Sequence, residues 1–228
     1  MTIPLKCLVL DLDDTLYSEV SYLHSAYRFI AAKISPESEA LSAHMMQQYY
    51  AGENVFEQLV HDYGVDKVTL LDWYRFHQPD ISLYPTVLET LNSYKAEYQY
   101  AVITDGRSKT QRNKLHALGL MPYLNSIVIS EEIGSEKPSA ANYEKVMRDL
   151  QCEYYIYVGD NLKKDFVTAK KLGWTTICLK DQGHNIHRQN FSVAEQYKAD
   201  YCFNSWYEIK NFLALHRKDI QIGISRKC

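Results

Sequence analysis

Three carboxylates stand close together at the end of a short apolar run. Asp11, Asp13 and Asp14 follow residues 5–10, whose length and apolar content predict a buried β-strand. Because side chains alternate along an extended chain, Asp11 and Asp13 would point to the same side. Burying clustered carboxylates is costly unless a positive charge neutralises them, and a divalent cation does so. The pattern therefore predicts paired carboxylates beside a cation at a strand end, where α/β sheets bind ligands.

Two later apolar runs end in groups that could hold a phosphate. The second run of the chain ends in Thr104-Asp105-Gly106, where a hydroxyl and backbone N–H groups could bind phosphate oxygens. The same residues also fit a simple turn between a strand and a helix. Arg107, which follows them, could reach a substrate anion or lie on the surface. Lys137 follows the third run, and its ammonium could be either a solvated surface charge or a point charge for phosphate.

The fourth apolar run ends in a second acidic group. It ends in Gly159-Asp160-Asn161, and Asp165 lies five residues after Asp160. Gly159 permits a tight turn, Asp160 would project into the ligand crevice, and Asp165 could return to it from the first turn of the next helix. Hard oxygen ligands of this kind suit Mg²⁺. Four successive strands thus end in an acid, a hydroxyl, an ammonium and an acid. The four groups together indicate a phosphate-binding and metal-binding site more specifically than any one motif does.

The apolar runs alternate with helical patterns along most of the chain. Pro138 stands at the predicted start of one helix, and Ser108 with Gln111 fits a capping box for another, which Gly119 can close. The alternation predicts an α/β fold with a doubly wound, Rossmann-like parallel sheet that is covered on both faces. The carboxyl ends of its strands would converge at one edge. The predicted strands are residues 5–10, 100–103, 126–129, 154–158 and 175–179, with a short edge strand at 200–203.

Residues 17–78 break the alternation because their pattern is wholly helical. We interpret this segment as a small all-helical domain that is inserted after the first strand and sits over the sheet. Residues 1–16 and 79–216 would then form the α/β core, and residues 217–228 would be a tail. The helices predicted in the insert are residues 20–32, 38–50, 55–63 and 67–76.

The composition is typical of a soluble globular protein and excludes several classes of function. Hydrophobic residues make up 46% of the chain, which is enough to bury a core, and the net charge of -3 offers no basic field for nucleic acid. No apolar stretch approaches the roughly 20 residues that span a bilayer, so we expect no membrane partner. The N-terminal segment meets carboxylates too soon for a signal peptide, and five cysteines without a CxxC pair suit reduced thiols. We therefore expect a cytoplasmic location.

The four motifs together resemble those of the haloacid dehalogenase (HAD) superfamily. Residues 11–15, DLDDT, are similar to its first motif, DxDxT, and the apolar run that ends in Thr104 is similar to its second. Lys137-Pro138 resembles the third motif, and residues 159–165, GDNLKKD, resemble the fourth. The insert between the first two motifs resembles the helical cap of one large branch. Residues 104–120 are also similar to nucleotidase-like and sugar-phosphatase-like members.

This resemblance implies phosphoryl transfer through a covalent intermediate. Asp11 would attack phosphorus and form an aspartyl phosphate, while Asp13 would protonate the leaving alcohol and then deprotonate the attacking water. Because the first role requires a protonated group, we expect carboxylate neighbours and burial to raise the pKa of Asp13. Thr104 and Lys137 would hold the transferring phosphoryl group, and Thr15 would support the loop.

The resemblance also implies a magnesium cofactor and a small substrate. Mg²⁺ would be bound by the carboxylates of Asp11, Asp160 and Asp165 and by the backbone carbonyl of Asp13, and it would shield Asp11 from the phosphate. The expected substrate is a small phosphorylated metabolite, a nucleotide or a sugar phosphate, which a monomer or homodimer hydrolyses. The residues expected to bind substrate are Thr104, Asp105, Gly106, Arg107 and Lys137.

Other interpretations use some of the same residues. A phosphomutase of the same superfamily would keep all of them and differ only in the fate of the phosphoryl group, and a HAD-like protein could also serve only in phosphate binding or regulation. A dehalogenase needs neither an acid–base Asp13 nor a metal, so Asp13 and Asp160 disfavour it. A signalling receiver domain would have its phosphorylated Asp at the end of the third strand, where residues 127–130 offer none.

Overall fold

Residues 6–216, which this computed structural model describes, are organised around a six-stranded parallel sheet. Its strands are β1 (Lys6–Leu10), β2 (Tyr98–Thr104), β3 (Ser126–Ile129), β4 (Tyr154–Gly159), β5 (Thr175–Leu179) and β6 (Tyr201–Phe203). Their order across the sheet is β3-β2-β1-β4-β5-β6. The chain therefore extends the sheet first on one side of β1 and then on the other, which confirms the predicted doubly wound arrangement. Because β2 and β4 flank β1, the residues that follow these three strands meet at one edge.

Ten α-helices occur within residues 6–216, and four of them form the insert. All four helices predicted in the insert are confirmed, three of them with the predicted bounds. The insert consists of α1 (Glu19–Ile34), α2 (Ser38–Tyr50), α3 (Val55–Tyr63) and α4 (Lys67–Phe76). The other helices are α5 (Val87–Tyr94), α6 (Ser108–Ala117), α7 (Ser130–Ile133), α8 (Ala140–Leu150), α9 (Phe166–Lys171) and α10 (Trp206–Leu215).

Both faces of β1 are buried because its side chains alternate between two hydrophobic clusters. Leu8 and Leu10 pack in a cluster with residues of α5, α6 and α10. Cys7 and Val9 pack on the opposite face with residues of α8 and α9. A strand that is covered on both sides shows a continuous apolar run rather than an alternating one, which explains why this run could be recognised in the sequence.

The helical insert has a hydrophobic cluster of its own and also contacts the helix that follows β2. The hydroxyl of Thr110 in α6 donates to the carbonyl of Arg75 at 3.2 Å, and Asn113 donates to the carbonyl of His77 at 3.4 Å. These bonds fix the end of the insert beside α6. The buried residues of the insert cluster include Leu23, Ile30, Met45, Leu59 and Leu70.

Two local expectations are wrong. Pro138 lies two residues before α8, whose N-cap is Ser139. Ser108 is the first residue of α6 and bonds through its hydroxyl to Glu132, while Gln111 turns away from the helix start, so the capping box does not form. The predicted tail at residues 217–228 lies outside the described residues. Within residues 6–216, no helix is long and apolar enough to cross a bilayer.

An indole hydrogen bond ties α10 to the loop that follows β1. Trp206 is 2% exposed, and its Nε1 donates to the backbone carbonyl of Thr15 at 2.7 Å. Trp174 is similarly buried at 4% exposure, but its indole N–H finds no hydrogen-bond partner among the described residues. The indole N–H of Trp206 therefore has an acceptor within the described part of the chain, and that of Trp174 has none there.

We expect Trp206→Phe to lower the free energy of unfolding more than Trp174→Phe does, by about 1–2 kcal/mol. Both changes remove the same part of a buried ring, but only the first leaves the carbonyl of Thr15 without its donor. Urea denaturation of the wild type and both variants measures the difference. Equal losses in the two variants would show that the hydrogen bond to Thr15 does not stabilise the fold.

Candidate active site

Three buried carboxylates converge at the carboxyl ends of β1 and β4. Asp11 follows β1, Asp160 follows β4, and Asp165 is the N-cap residue of α9. One oxygen from each carboxylate lies within 4.8 Å of the others. Leu10 is paired with Val158 across the two strands, and the N–H of Asp11 donates to the carbonyl of Val158 at 2.9 Å. The parallel register therefore places Asp11 next to the turn that holds Asp160.

The ammonium of Lys137 lies within this acidic cluster. Its Nζ donates to Oδ1 of Asp11 and, at 2.8 Å, to Oδ1 of Asp165. The hydroxyl of Tyr157 donates to the same oxygen of Asp165 at 3.1 Å. Burial disfavours the charged form of Lys137, but Asp11 and Asp165 outweigh this effect and raise its pKa well above the ordinary value. Lys137 is therefore a buried charge beside Asp11 and not a solvated surface lysine.

The negative charge of the cluster is only partly compensated by Lys137. Burial raises the pKa of Asp11 to about 7, with Lys137 opposing the shift and Asp165 adding to it. Burial and the charges of Asp11 and Asp165 raise the pKa of Asp160 well above its ordinary value. A divalent cation would stabilise the charged carboxylates, and oxygen donors of this kind suit Mg²⁺. The donor set of Asp11, Asp160 and Asp165 therefore fits this ion.

Asp165 is held by the backbone of the turn that contains Asp160. Its Oδ2 accepts the N–H of Asn161 at 2.8 Å and the N–H of Asp160 at 3.2 Å. A Cβ atom at Gly159 would lie 2.5 Å from the same oxygen, closer than such atoms can approach. The carboxylate of Asp165 therefore occupies the space beside Gly159 and binds the N–H groups of the turn. This contact gives a physical reason for the spacing of Gly159, Asp160 and Asp165 in the fourth motif.

Asp13 is surrounded by donors from α6 and from its own loop. Its Oδ1 accepts from Nζ of Lys114 at 2.7 Å and from the hydroxyl of Tyr17, and its Oδ2 accepts from Nε2 of Gln111 at 2.9 Å. Burial acts to raise the pKa of Asp13, but Lys114 and the hydrogen bonds outweigh it and lower the pKa. The expected rise is therefore wrong for this arrangement, because the charge of Lys114 was not included in that expectation.

Lys114 also connects Asp13 to the helical insert. Its side chain is buried, and its ammonium lies 4.4 Å from the ring centroid of Tyr22 in α1 and 5.9 Å from that of Tyr17. A cation over an aromatic face is stabilised by the ring. The insert therefore covers the side of the site on which Asp13 lies.

Thr104 lies at the end of β2 with its hydroxyl directed to Gln111. Nε2 of Gln111 donates to Oγ1 of Thr104 as well as to Asp13, so this amide bridges the two residues. Because Gln111 supplies the hydrogen, the Thr104 hydroxyl keeps its own hydrogen for another acceptor. Within residues 6–216 no acceptor takes it, so this hydroxyl could donate to a bound phosphate.

The three residues after Thr104 make contacts away from the acidic cluster. Each has a partner in a neighbouring loop or helix, and these bonds give no support to the expectation that they bind substrate. Asp105 accepts from the backbone N–H of Lys137 and from the ammonium of Lys164. The N–H of Gly106 donates to the hydroxyl of Ser130, and the guanidinium of Arg107 donates to Glu131.

The loop after β5 closes another side of the site. Nδ2 of Asn185 donates to Oδ2 of Asp160 at 2.9 Å, and the N–H of Ile186 donates to Oδ2 of Asp14 at 3.0 Å. Oδ1 of Asp181 accepts three successive backbone N–H groups, beginning two residues later, at 2.7, 2.8 and 3.0 Å. These bonds fix the shape of the loop and hold it against the acidic cluster.

Sequence reasoning did not assign Gln111, Lys114 or Asn185 to the site. The first two lie three residues apart on one face of α6, directly after the second motif, and this spacing was a usable signal. Asn185 lies in a polar loop without periodicity. Its contact with Asp160 depends on how the loop folds back, and no sequence pattern indicates that.

Curated relatives of this chain are named as phosphatases and nucleotidases. The chain is 26% identical over 240 residues to a glyceraldehyde 3-phosphate phosphatase of Methanocaldococcus jannaschii, which covers 94% of this chain and 100% of the relative. It is 30% identical over 104 residues to the pyrimidine 5'-nucleotidase PynA of Streptococcus pneumoniae, which covers 44% of each chain. Both predicted branches, sugar phosphatases and nucleotidases, are thus found among its relatives.

Solved structures and a family profile agree with the fold. The HAD-hydrolase YfnB of Bacillus subtilis, crystallised with bound magnesium, matches with a TM-score of 0.65 at 19% identity and covers 92% of this chain and 99% of that one. The profile described as haloacid dehalogenase-like hydrolase matches residues 8–179, from β1 to β5, and includes all four motifs. The chain therefore belongs to the haloacid dehalogenase-like hydrolase family.

Proposed function

We propose that this chain is a Mg²⁺-dependent phosphomonoester hydrolase that acts on a small phosphorylated metabolite, such as a nucleotide or a sugar phosphate. The strongest support is the grouping of Asp11, Asp160 and Asp165 around Lys137. A carboxylate that attacks an anionic phosphate needs nearby positive charge, and this cluster offers an ammonium together with ligands for a cation. The relatives named as phosphatases agree with this proposal.

The proposed magnesium ligands are Asp11, Asp160 and Asp165, together with the backbone carbonyl of Asp13. When bound, the cation would neutralise the carboxylates and the phosphate oxygens that come close to them. Lys137 would add a second positive charge beside Asp11. The Asn185 amide would hold the orientation of Asp160 through its bond to Oδ2.

Asp11 is the proposed nucleophile. One of its oxygens forms a bond to phosphorus while the bond from phosphorus to the leaving alcohol oxygen breaks, which gives an aspartyl phosphate. The hydroxyl of Thr15 donates to Oδ2 of Asp11 at 3.1 Å and orients the carboxylate. Lys137 and the free hydrogen of the Thr104 hydroxyl would bind oxygens of the transferring phosphoryl group.

Asp13 is the proposed general acid and base. It would give a proton to the leaving alcohol and later accept one from the water that attacks the aspartyl phosphate. Its bonds with Lys114, Tyr17 and Gln111 favour the charged form, which is the form required for the second role. We infer that the negative charge of the arriving phosphate favours the protonated form that the first role requires.

The alternatives differ in what happens to the phosphoryl group. A phosphomutase would return it to an organic acceptor and release little free phosphate, whereas a binding or regulatory protein would show no turnover. A dehalogenase needs no acid–base Asp13, so that function would not explain the bonds that Lys114 and Gln111 make to this carboxylate. Measurement of phosphate release therefore separates hydrolysis from each of these functions.

The division of the chain into a core, residues 1–16 and 79–216, and a cap, residues 17–78, belongs to the same proposal. The contact of Tyr22 with Lys114 supports a cap that encloses the site. We also propose a cytoplasmic location and a monomeric or homodimeric state. The location is supported by the free thiols of Cys7, Cys152, Cys178 and Cys202.

We expect Asp11→Asn to abolish Mg²⁺-dependent hydrolysis of p-nitrophenyl phosphate, with a decrease in kcat of at least about a thousandfold, because an amide is not a nucleophile here. The wild type should release phosphate with Mg²⁺ and lose this activity in EDTA. Asp72→Asn, which alters an exposed carboxylate of α4, is the matched control and should keep the wild-type kcat. A folded wild type that turns over neither this ester nor a panel of metabolites would refute hydrolysis.

We expect Lys114→Met to lower kcat by about tenfold or more while KM changes little, because Lys114 contacts Asp13 and positions it for proton transfer. Lys109→Met, on the exposed side of the same helix, is the control and should retain wild-type kinetics. Steady-state kinetics on p-nitrophenyl phosphate test this, with urea unfolding to confirm that both variants are folded. A wild-type kcat in Lys114→Met would show that proton transfer does not depend on Lys114.

A further inference from the structure

A cleft of about 670 Å³ lies between the helical insert and the loop after β5. One wall is the face of α1 that presents Ser21, His24 and Arg28, which are three and four residues apart. The rings of Tyr49 and Tyr50 at the end of α2 form a second wall, and residues 183–186 together with Arg188 form the third. Its volume lies within the range of about 300–1,000 Å³ that is usual for small-molecule sites.

The residues that line this cleft also contact the catalytic edge of the sheet. Asn185 lines the cleft and donates to Oδ2 of Asp160, and Ile186 lines it and donates to Oδ2 of Asp14. On the opposite wall, Ser18 lines the cleft and directly precedes Glu19, whose N–H donates to Oδ1 of Asp14 at 2.7 Å. A molecule in the cleft would therefore lie against the loops that hold the proposed magnesium ligands.

Positive charge exceeds negative charge among the lining residues. Arg28 pairs with Asp80 at 2.8 Å, but their side chains are 50% and 83% exposed, so the pair is weak and Arg28 can turn to another anion. Arg188 also lines the cleft, and residues 6–216 give it no hydrogen bond or ion pair. The cleft thus presents two guanidinium groups against one carboxylate, and guanidinium groups bind carboxylate and phosphate oxygens in pairs of parallel bonds.

The catalytic centre has the opposite balance. Its carboxylates outnumber its ammonium groups, and the proposed Mg²⁺ would not give an excess of positive charge once the reacting phosphate is bound. A second anionic group on a substrate would therefore be attracted more strongly by the arginines of the cleft than by this centre. The carboxylates are those of Asp11, Asp13, Asp14, Asp160 and Asp165, and the ammonium groups are those of Lys114 and Lys137.

We propose that this cleft binds a second anionic group, a carboxylate or a phosphate, on the alcohol part of the substrate, and that Arg28 and Arg188 determine this specificity. This inference rests on the proposed phosphohydrolase function. Tyr49 and Tyr50 would contact the carbon chain between the two anionic groups. The preferred substrates are therefore phosphomonoesters whose alcohol part carries a carboxylate or a second phosphate, rather than esters of neutral alcohols.

The test compares two matched pairs of substrates by phosphate release in Mg²⁺. The first pair is 3-phosphoglycerate and glycerol 3-phosphate, which differ by a carboxylate. The second is fructose 1,6-bisphosphate and fructose 6-phosphate, which differ by a phosphate. We expect the wild type to prefer the more anionic member of at least one pair in kcat/KM, and the pair that shows the preference identifies the anion.

In Arg188→Met and in Arg28→Met that preference should fall by about tenfold, mainly through KM, and in the double variant it should disappear. Arg148→Met, an exposed arginine of α8 whose partner is Glu144, is the matched control and should keep the wild-type preference. A wild type without any such preference, or a preference that survives in the double variant, would overturn this inference and leave the hydrolase proposal intact. Absence of p-nitrophenyl phosphate turnover in the wild type would instead overturn the proposed function and this inference with it.

Discussion

Repulsion among buried carboxylates is the constraint that shapes the catalytic edge of this protein. One carboxylate oxygen from each of Asp11, Asp160 and Asp165 lies within 4.8 Å of the others, with little access to water. Burial, with a further contribution from the charge of Asp165, raises the pKa of Asp11 to about 7 even with Lys137 in contact. The fold therefore has to supply buried positive charge and hydrogen-bond donors at this edge. Lys137, Thr15 and the N–H groups of the Asp160 turn do so.

The topology of the sheet brings this positive charge and these hydrogen-bond donors to one edge, although they come from distant parts of the sequence. β1 lies between β2 and β4, so Asp11 can meet Thr104 on one side and Asp160 on the other. Lys137 comes from the loop after β3, and the side chain of Asp105 fixes that loop by accepting the backbone N–H of Lys137. Asp105 is thus better understood as a support for the lysine than as a ligand of the substrate.

The sequence was sufficient to predict the elements whose stability depends on local pattern. The buried strands were visible because a strand covered on both faces is a continuous apolar run, and β3 and β5 have the bounds predicted. The spacing of Gly159, Asp160 and Asp165 also predicted their grouping, since a local turn brings the carboxylate back to its own backbone. Such features need no knowledge of distant residues.

Contacts between elements were not predictable in the same way. The pKa of Asp13 was expected to rise from burial and neighbouring carboxylates alone, whereas the structure shows that Lys114 reverses the direction. That outcome depends on which face of α6 is directed to Asp13, and the bonds of Thr110 and Asn113 to the end of the insert contribute to this orientation. The bond from Asn185 to Asp160 likewise depends on the fold of a loop that the side chains of Asp181 and Gln189 organise.

Because Lys114 lies between Asp13 and the insert, the insert can influence the proposed acid–base step as well as the proposed substrate preference. Its ammonium contacts Asp13 on the core and the ring of Tyr22 on α1, so the two parts of the chain share one buried charge. If α1 moved away, water would reach Lys114 and weaken its attraction for Asp13, since charges interact more weakly at high dielectric. Exposure would weaken both the attraction of Lys114, which lowers the pKa of Asp13, and the effect of burial, which raises it. The surroundings of the proposed acid–base group therefore depend on where the insert lies, and a substrate that draws the insert into place would also fix the environment of Asp13.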